Sequence, residues 1–482
     1  MNEVDSKKSS SDSRRRDLTK GSVPKNLWNM AWPQMGDSAL TVVDQIADLF
    51  WAGRMGYKTI AGLGIAQTYI LIYSTARIGL DASMRAMISR AIGANDKEYA
   101  NHVLLQSLTI TLIWTILIGG SGIIFTDQLL SMVGVSPVVV EAAASYMQLQ
   151  FVAYSFQNFI RLTGGALNAA GDSINPLKAV TVSRGIHIIL SPFLIFGWLG
   201  FPEMGIAGAA MANIVAQFLG MIMNLTVLYK GNSGIKLSFI DYRVDVGLIW
   251  RLIRVGLPAA MTSVQRSGSQ LVLLICVSSF GDAPVAAFAL SRRVENIVNN
   301  TSRGLGRASA AVAGQNLGAG NIERAKSALA WALVYSAVLS AIAMTLYLLF
   351  TEEISSAFNA DPDFLGHMTT WLIILAIATF PMSSVQVLTH GISNTGATVA
   401  PMNITLTTMW LIEIPLAFGL AFLTSLESAG VPWGIAFGNV VLKYRRQHTL
   451  RNCISASRNI SAPKFLEHLG GPLDLFPCEL ES

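Results

Sequence analysis

Read for hydrophobicity alone, the chain resolves into long apolar stretches separated by short polar ones. They run at roughly 27–53, 60–84, 103–125, 138–166, 176–199, 205–229, 250–280, 284–308, 327–350, 366–391 and 400–424, with a last, shorter one at 430–442. The first eleven have the length that carries a helix across a ~30 Å hydrocarbon core. Strands of a membrane barrel would be nearer ten residues and strictly alternating. The pattern therefore predicts an all-α, polytopic membrane protein. The last segment would give only about 20 Å of helix, and from Lys443 onward the chain turns basic, with Lys443, Arg445, Arg446, His448 and Arg451. The expectation is eleven clear helices plus a truncated twelfth, and an atypical basic tail over 443–482.

Composition supports this reading. Hydrophobic residues make up 52% of the 482 and charged residues 13%, about half the ~25% of soluble proteins. So few charges cannot cover a soluble surface, which excludes a soluble enzyme, a nucleic-acid binder and a secreted module. The three cysteines, Cys276, Cys453 and Cys478, form neither metal spacing nor a disulfide framework. The net charge of +5 is unevenly placed: Lys7, Lys8, Arg14, Arg15, Arg16, Lys20 and Lys25 crowd the start. No short apolar core with a cleavage site follows, so 1–26 reads as a disordered basic tail. Further basic residues fall in alternate loops (Arg85, Arg90, Lys97; Lys178; Lys230, Lys236, Arg243; Arg324, Lys326), and acids such as Asp127, Glu203, Glu352 and Asp361 fall in the others. By the positive-inside rule the amino terminus is cytoplasmic, in a cell membrane.

The two halves superpose in sequence at one offset, 225 (258 − 33). Pro33 matches Pro258, Gly56 matches Gly281, Gly79 matches Gly304, Gly93-Ala94 matches Gly318-Ala319, Gly171 matches Gly396, Pro176 matches Pro401 and Gly205 matches Gly430. Six helices per repeat start both halves on the same side, so these are parallel repeats about a pseudo-twofold along the membrane normal, enclosing a cleft that opens alternately. The implied domains are an N-terminal six-helix lobe over 27–229, a cytoplasmic linker over 230–249 and a C-terminal lobe over 250–442.

These residues resemble the multidrug and toxic compound extrusion (MATE) family, over roughly 25–440. The match includes Ser89, Arg90, Gly93, Ala94, Asn95 and Ala100 after helix 2, their twins Gly314, Gln315, Gly318, Ala319 and Ala325 after helix 8, and the loop pairs Gly171/Pro176 and Gly396/Pro401. The resemblance implies a secondary active exporter, not an enzyme, that expels organic cations or amphiphiles in exchange for protons or sodium. It implies no cofactor beyond the coupling ion, and a small-molecule substrate and the bilayer as partners. No nucleic acid is implied, and the chain is expected to be a monomer.

Ionisable groups within spans are costly and mark function. Asp37, Thr41, Asp44 and Asp48 fall on one narrow stripe of helix 1, since steps of seven and four residues return to nearly the same angle. Asp48 also matches the family's helix 1 acid, by its distance from Pro33 and the Ala52-Gly53 that follows it. It is expected to be the coupling carboxylate, with Asp44 as partner and Asp37 and Thr41 lining the cavity. The competing reading of Asp48 is an acid in interfacial water. The same stripe in helix 7 reads Thr262, Arg266, Ser269 and Leu273. Arg266 departs from the acid many family members carry there, and Gln270 is placed beside it on the cavity. Arg266 is expected either to pair with an acid or draw an anionic group, or to cap carbonyls of a neighbouring helix.

Where sodium-site members show an asparagine and an aspartate before the helix 5 proline, this chain has His187 and Ser191 before Pro192. The loss of an anionic oxygen ligand and the gain of a residue that titrates near neutrality favour protons. The plainer reading of His187 is a hydrogen-bonded packing residue. The acid often seen in helix 10 of the family is absent here, and Glu413, two residues before Pro415, is expected to take its place as a second coupling group. A flippase for lipid-linked saccharides, sharing the superfamily's plan, is the alternative. A membrane enzyme lacks any zinc pair, nucleophile elbow or phosphate loop.

Overall fold

The computed structural model describes residues 17–54, 57–132, 137–240, 242–356, 361–394 and 396–456. Most of the basic tail expected over 1–26, and 457–482 of the expected C-terminal tail, lie outside the described residues. The described residues form helices and no strand. The long helices are α1 (Val23–Arg54), α2 (Tyr57–Gly93), α3 (Lys97–Ile124), α4 (Pro137–Ala169), α5 (Ile174–Phe196), α6 (Ile206–Lys230), α7 (Val246–Ser278), α8 (Asp282–Gly318), α9 (Ile322–Leu349), α10 (Pro362–Asn394), α11 (Val399–Leu423) and α12 (Gly430–Ala456). Of these α3, α5, α6, α9, α10 and α11 are long and apolar enough to cross a membrane. In α9, Val334, Val338, Ile342 and Leu346 recur every fourth residue and are each about half exposed, a stripe suited to lipid.

The repeat is geometrical. Tyr57–Gly93 recurs as Asp282–Gly318, Lys97–Ile124 as Ile322–Leu349 and Pro137–Ala169 as Pro362–Asn394, and the short helix Thr126–Ser131 recurs as Thr351–Ser356. All are displaced by the same 225 found in the sequence. The loop twins Gly171 and Gly396 both take left-handed backbone, with φ of +97° and +88°, a conformation only glycine adopts freely.

Two compact units result. One comprises residues 36–254 and the other 18–35 with 255 onward. The boundary expected at residue 27 is therefore misplaced, because α1 divides at Met35/Gly36. Its first half is built to bury: Leu18, Leu27, Met30 and Ala31 form one core with Leu305, Ala308, Val312 and Val387. Residues 18–26 belong to this unit, with Leu18 fully buried and its carbonyl accepting from Asn316 Nδ2 at 3.1 Å. At Gly304 a Cβ would stand 2.8 Å from the Gln34 carbonyl oxygen, so glycine is what allows α8 to approach α1.

The linker expected at 230–249 is a strap tied to α3. Asn101 donates to the Ser238 carbonyl (2.9 Å) and accepts from its amide (3.1 Å). Gln106 does the same with Arg243 O (2.7 Å) and Asp245 N (3.2 Å). Asp245 caps α7, accepting from the Leu248 amide at 2.9 Å. That bond, and then His102 beside it, hold the Asp245 carboxyl below the usual carboxylate range.

α12 differs from the sequence expectation. It does not stop at Leu442 but continues to Ala456, about 40 Å of helix and the counterpart of α6. The basic residues that suggested a break are absorbed by hydroxyls. Arg446 is fully buried and donates to the Val385 carbonyl (3.3 Å), to Thr389 Oγ1 and to Thr405 Oγ1 (2.6 Å). Arg445 donates to Thr407 Oγ1 and Thr408 Oγ1. Apolarity is lost from this helix, and helicity is kept.

Candidate functional site

In the unit formed by residues 36–254, the acidic stripe of α1 meets α5. Asp44 is buried and both its oxygens are taken: Arg184 Nη1 donates to Oδ2 at 2.6 Å, and His187 Nδ1 lies 2.7 Å from Oδ1. The far side of the same imidazole, Nε2, stands 3.6 Å from Asp48 Oδ1, within ion-pair reach but beyond a hydrogen bond. Arg184 and His187 are one turn apart (i, i+3) and so share a face of α5. His187 thus bridges the two carboxylates, one bound tightly and one loosely. Asp48 is the more accessible, its side chain 32% exposed against 6% for Asp44.

Behind this cluster runs a chain of buried amides and a phenol. Gln150 Nε2 donates to Tyr146 Oη (2.8 Å), Asn213 Nδ2 to Gln150 Oε1 (3.1 Å) and Gln217 Nε2 to Asn213 Oδ1 (3.0 Å). The charge of Asp48 acts on the hydroxyls of Tyr146 and Tyr154 of α4, and Arg184 also acts on Tyr154. Each bond satisfies a polar group that would be costly bare. Neither Arg184 nor this chain was singled out in the sequence. The signal available was Arg184 itself, an arginine ten residues into an apolar helix.

The other expected residues divide. Thr41 donates to the Asp37 carbonyl at 2.9 Å, and both are half-buried two turns before the cluster. Ser191 is buried and its hydroxyl donates to the His187 carbonyl (2.6 Å), one turn back. The structure gathers Asp44, Asp48 and His187; Glu413, Arg266 and Gln270 belong to the other unit.

In that second unit Glu413 is buried at the end of a π-turn, Met409–Glu413, inserted in α11 just before Pro415. Proline lacks the N–H and crowds the preceding turn, which is where such a bulge relieves the helix. Gly438 of α12 faces it: a Cβ there would stand 2.7 Å from Glu413 Oε2. The charges acting on Glu413 are Arg292, Glu295 and Arg266. Glu295 is bound by Arg292, three residues before it on α8, and accepts from Asn299 Nδ2 (3.2 Å), which accepts from Gln386 Nε2 (3.1 Å). Arg293 points away and is exposed. Gln270 is exposed too.

The family model MatE matches residues 33–193 and again 258–418, two passes separated by the repeat offset. The chain belongs to the MATE family. Its relatives include the "Probable multidrug resistance protein YoeA" of Bacillus subtilis (strain 168), 25% identical over 86% of this chain and 90% of that one. Another is the "FAD transporter" of Shewanella oneidensis, 24% identical over 84% and 89%. A solved structure described as a multidrug resistance MATE family transporter of the MOP superfamily superposes with a TM-score of 0.85, at 22% identity over 92% of this chain and 98% of that one. This MATE chain is accordingly a transporter with the two-lobed helical fold, embedded in a membrane.

For a MATE protein, the cluster's donor set decides what it can hold. Asp44, Asp48 and His187 offer ligand atoms within 4.8 Å of one another. A hard cation wants several anionic or carbonyl oxygens. Here both Asp44 oxygens already accept from nitrogen, and a guanidinium sits against them.

Proposed function

We propose that this MATE transporter exports amphiphilic organic compounds, organic cations among them, by alternating access driven by proton entry, with the Asp44–Arg184–His187–Asp48 cluster as the proton carrier. The observation that carries the reading is the bridging imidazole. With His187 Nδ1–H donating to Asp44, Nε2 presents a lone pair to Asp48 3.6 Å away. Counting charges, Asp44 and Asp48 contribute two negatives and Arg184 one positive, so the cluster is singly negative with His187 neutral. One proton, on Nε2 or on Asp48, makes it neutral. A charge of one unit inside a lobe solvated by lipid costs several kcal/mol, so loading and unloading that proton favours different hydration of the site. Arg184 sets the stoichiometry: without it, two protons are needed for neutrality. Glu413 is assigned a secondary role, as a buried acid in the field of Arg292 and Arg266 of the other unit. The distribution of basic loops supports an amino terminus in the cytoplasm, with the chain in the plasma membrane.

The test is transport in proteoliposomes carrying either a pH gradient or a sodium gradient alone. The reading expects accumulation of a fluorescent cationic dye with the pH gradient only. Accumulation driven by sodium at equal pH, or by neither, would sink it.

A further inference from the structure

The proposal above uses the acidic cluster of residues 36–254 and leaves unexplained a basic one in the other unit. Arg266 of that unit stands in the electric field of three other arginines, Arg292, Arg303 and Arg446, and of two glutamates, Glu295 and Glu413. Glu295 is already engaged by Arg292 and Asn299. Arg446 is fully buried, yet its three acceptors are a carbonyl and two threonine hydroxyls, all neutral, and its Nε has no partner. Arg266 has a buried Nε without a partner and, among the described residues, donates no hydrogen bond and forms no ion pair. The alternative that Arg266 caps the carbonyls of a neighbouring helix finds no bond to support it. One turn further along α7, Ser269 is 1% exposed and its hydroxyl also lacks a partner. Positions three apart share a face, so a guanidinium and a hydroxyl of α7 stand together unspent.

Buried cations without a counter-ion are retained at a cost, and a guanidinium presents forked donors matched to phosphate and carboxylate. We propose that this unit holds an anion-accepting site, with Arg266 and Ser269 as the ligating groups and Arg446 as a fixed positive charge behind them. Its ligand is the phosphate of an amphiphilic molecule. The inference rests on the exporter reading and adds to its substrates amphiphiles that carry an anionic group. The phosphate belongs to a soluble solute or to a lipid headgroup.

Riboflavin and its 5′-phosphate, FMN, share one fluorescent ring and differ in the phosphate alone, which makes them the probe pair. Binding is measured by flavin fluorescence at equilibrium, with no gradient, on the full chain in phosphatidylcholine nanodiscs. The expected result is FMN bound about tenfold or more tighter than riboflavin, a preference that Arg266→Gln reduces to near one. Arg266→Lys restores part of it. FMN bound no better than riboflavin, or a preference that survives Arg266→Gln, overturns the proposal. Repeating the titration with phosphatidylglycerol in the nanodisc separates the sources: a preference erased by that lipid assigns the site to a headgroup phosphate, and one that persists assigns it to a solute. Because no gradient is present, a failure of the proton-coupled reading leaves these outcomes intact and shows itself only in vesicle transport.

Discussion

Removing Arg184 tests the electrostatics of the cluster at its tightest contact. The guanidinium and the Asp44 carboxylate meet at 2.6 Å with side chains only 9% and 6% exposed. Breaking such a pair from one side leaves an uncompensated buried charge and costs about 3–5 kcal/mol. For a unit of some 200 residues this corresponds to a fall in Tm of roughly 6–20 °C, at ~2–4 °C per kcal/mol. Arg184→Gln alone should show that loss in thermal unfolding of the purified protein. Arg184→Gln combined with Asp44→Asn removes both charges and keeps two polar groups that can bond each other and His187, so most of the loss should return. The coupling read from the double-mutant cycle should exceed about 1.5 kcal/mol, in the range seen for contacting groups. If the single variant is as stable as the double, Arg184 is not the counter-charge of Asp44, and the charge count behind single-proton loading is wrong.

Two further outcomes follow from the same structure. Arg446→Met should raise Tm: the threonines it meets keep their own helical bonds (Thr389 to Val385 O and Thr405 to Pro401 O, both 2.6 Å), so no hydroxyl is orphaned. The symmetric place in α6 carries Met221, and replacing buried charge by a well-packed apolar group is neutral or gains ~1–4 kcal/mol; a clear drop in Tm would contradict this. Asp245→Ala should lower stability by about 1 kcal/mol, as loss of a helix cap does. Because the folded Asp245 carboxyl is held below its ordinary value, its charge stabilises above the unfolded value of ~3.9 and that contribution is lost as pH falls through the folded one. The Tm gap between the wild type and Asp245→Asn should therefore close below about pH 4, and a gap that widens there would reverse the sign.

The plan of the fold was legible because it is periodic. A single offset aligned Pro33 with Pro258 and Gly171 with Gly396, and the same offset relates helix ends and left-handed glycines. The acidic stripe of α1 was legible for the same reason, since helical spacing alone puts Asp44 and Asp48 on one line. What failed needed partners distant in the chain. Arg184 matters through Asp44, 140 residues away; its place inside an apolar helix marks it as unusual but does not name that partner. The end of α12 was misread because hydropathy counts Arg446 as a charge facing water, while Thr389 and Thr405, 57 and 41 residues away, supply its solvation. The split of α1 at Gly36 was likewise invisible: one unbroken helix runs through both units, and its hydropathy does not mark where one ends. His187 was read both as a titrating group and as a packing residue, and its geometry accommodates both, bonded to Asp44 on one nitrogen and open to Asp48 on the other.

The central claim is that Asp48 and His187 carry the proton that drives export. It is tested most directly by a pH-sensitive dye trapped in proteoliposomes, read while a cationic substrate is transported. The account predicts proton movement opposite to substrate in the wild type, indifferent to sodium, and abolished by Asp48→Asn and by His187→Gln with the fold retained. Substrate movement accompanied by undiminished proton flux in Asp48→Asn would contradict it.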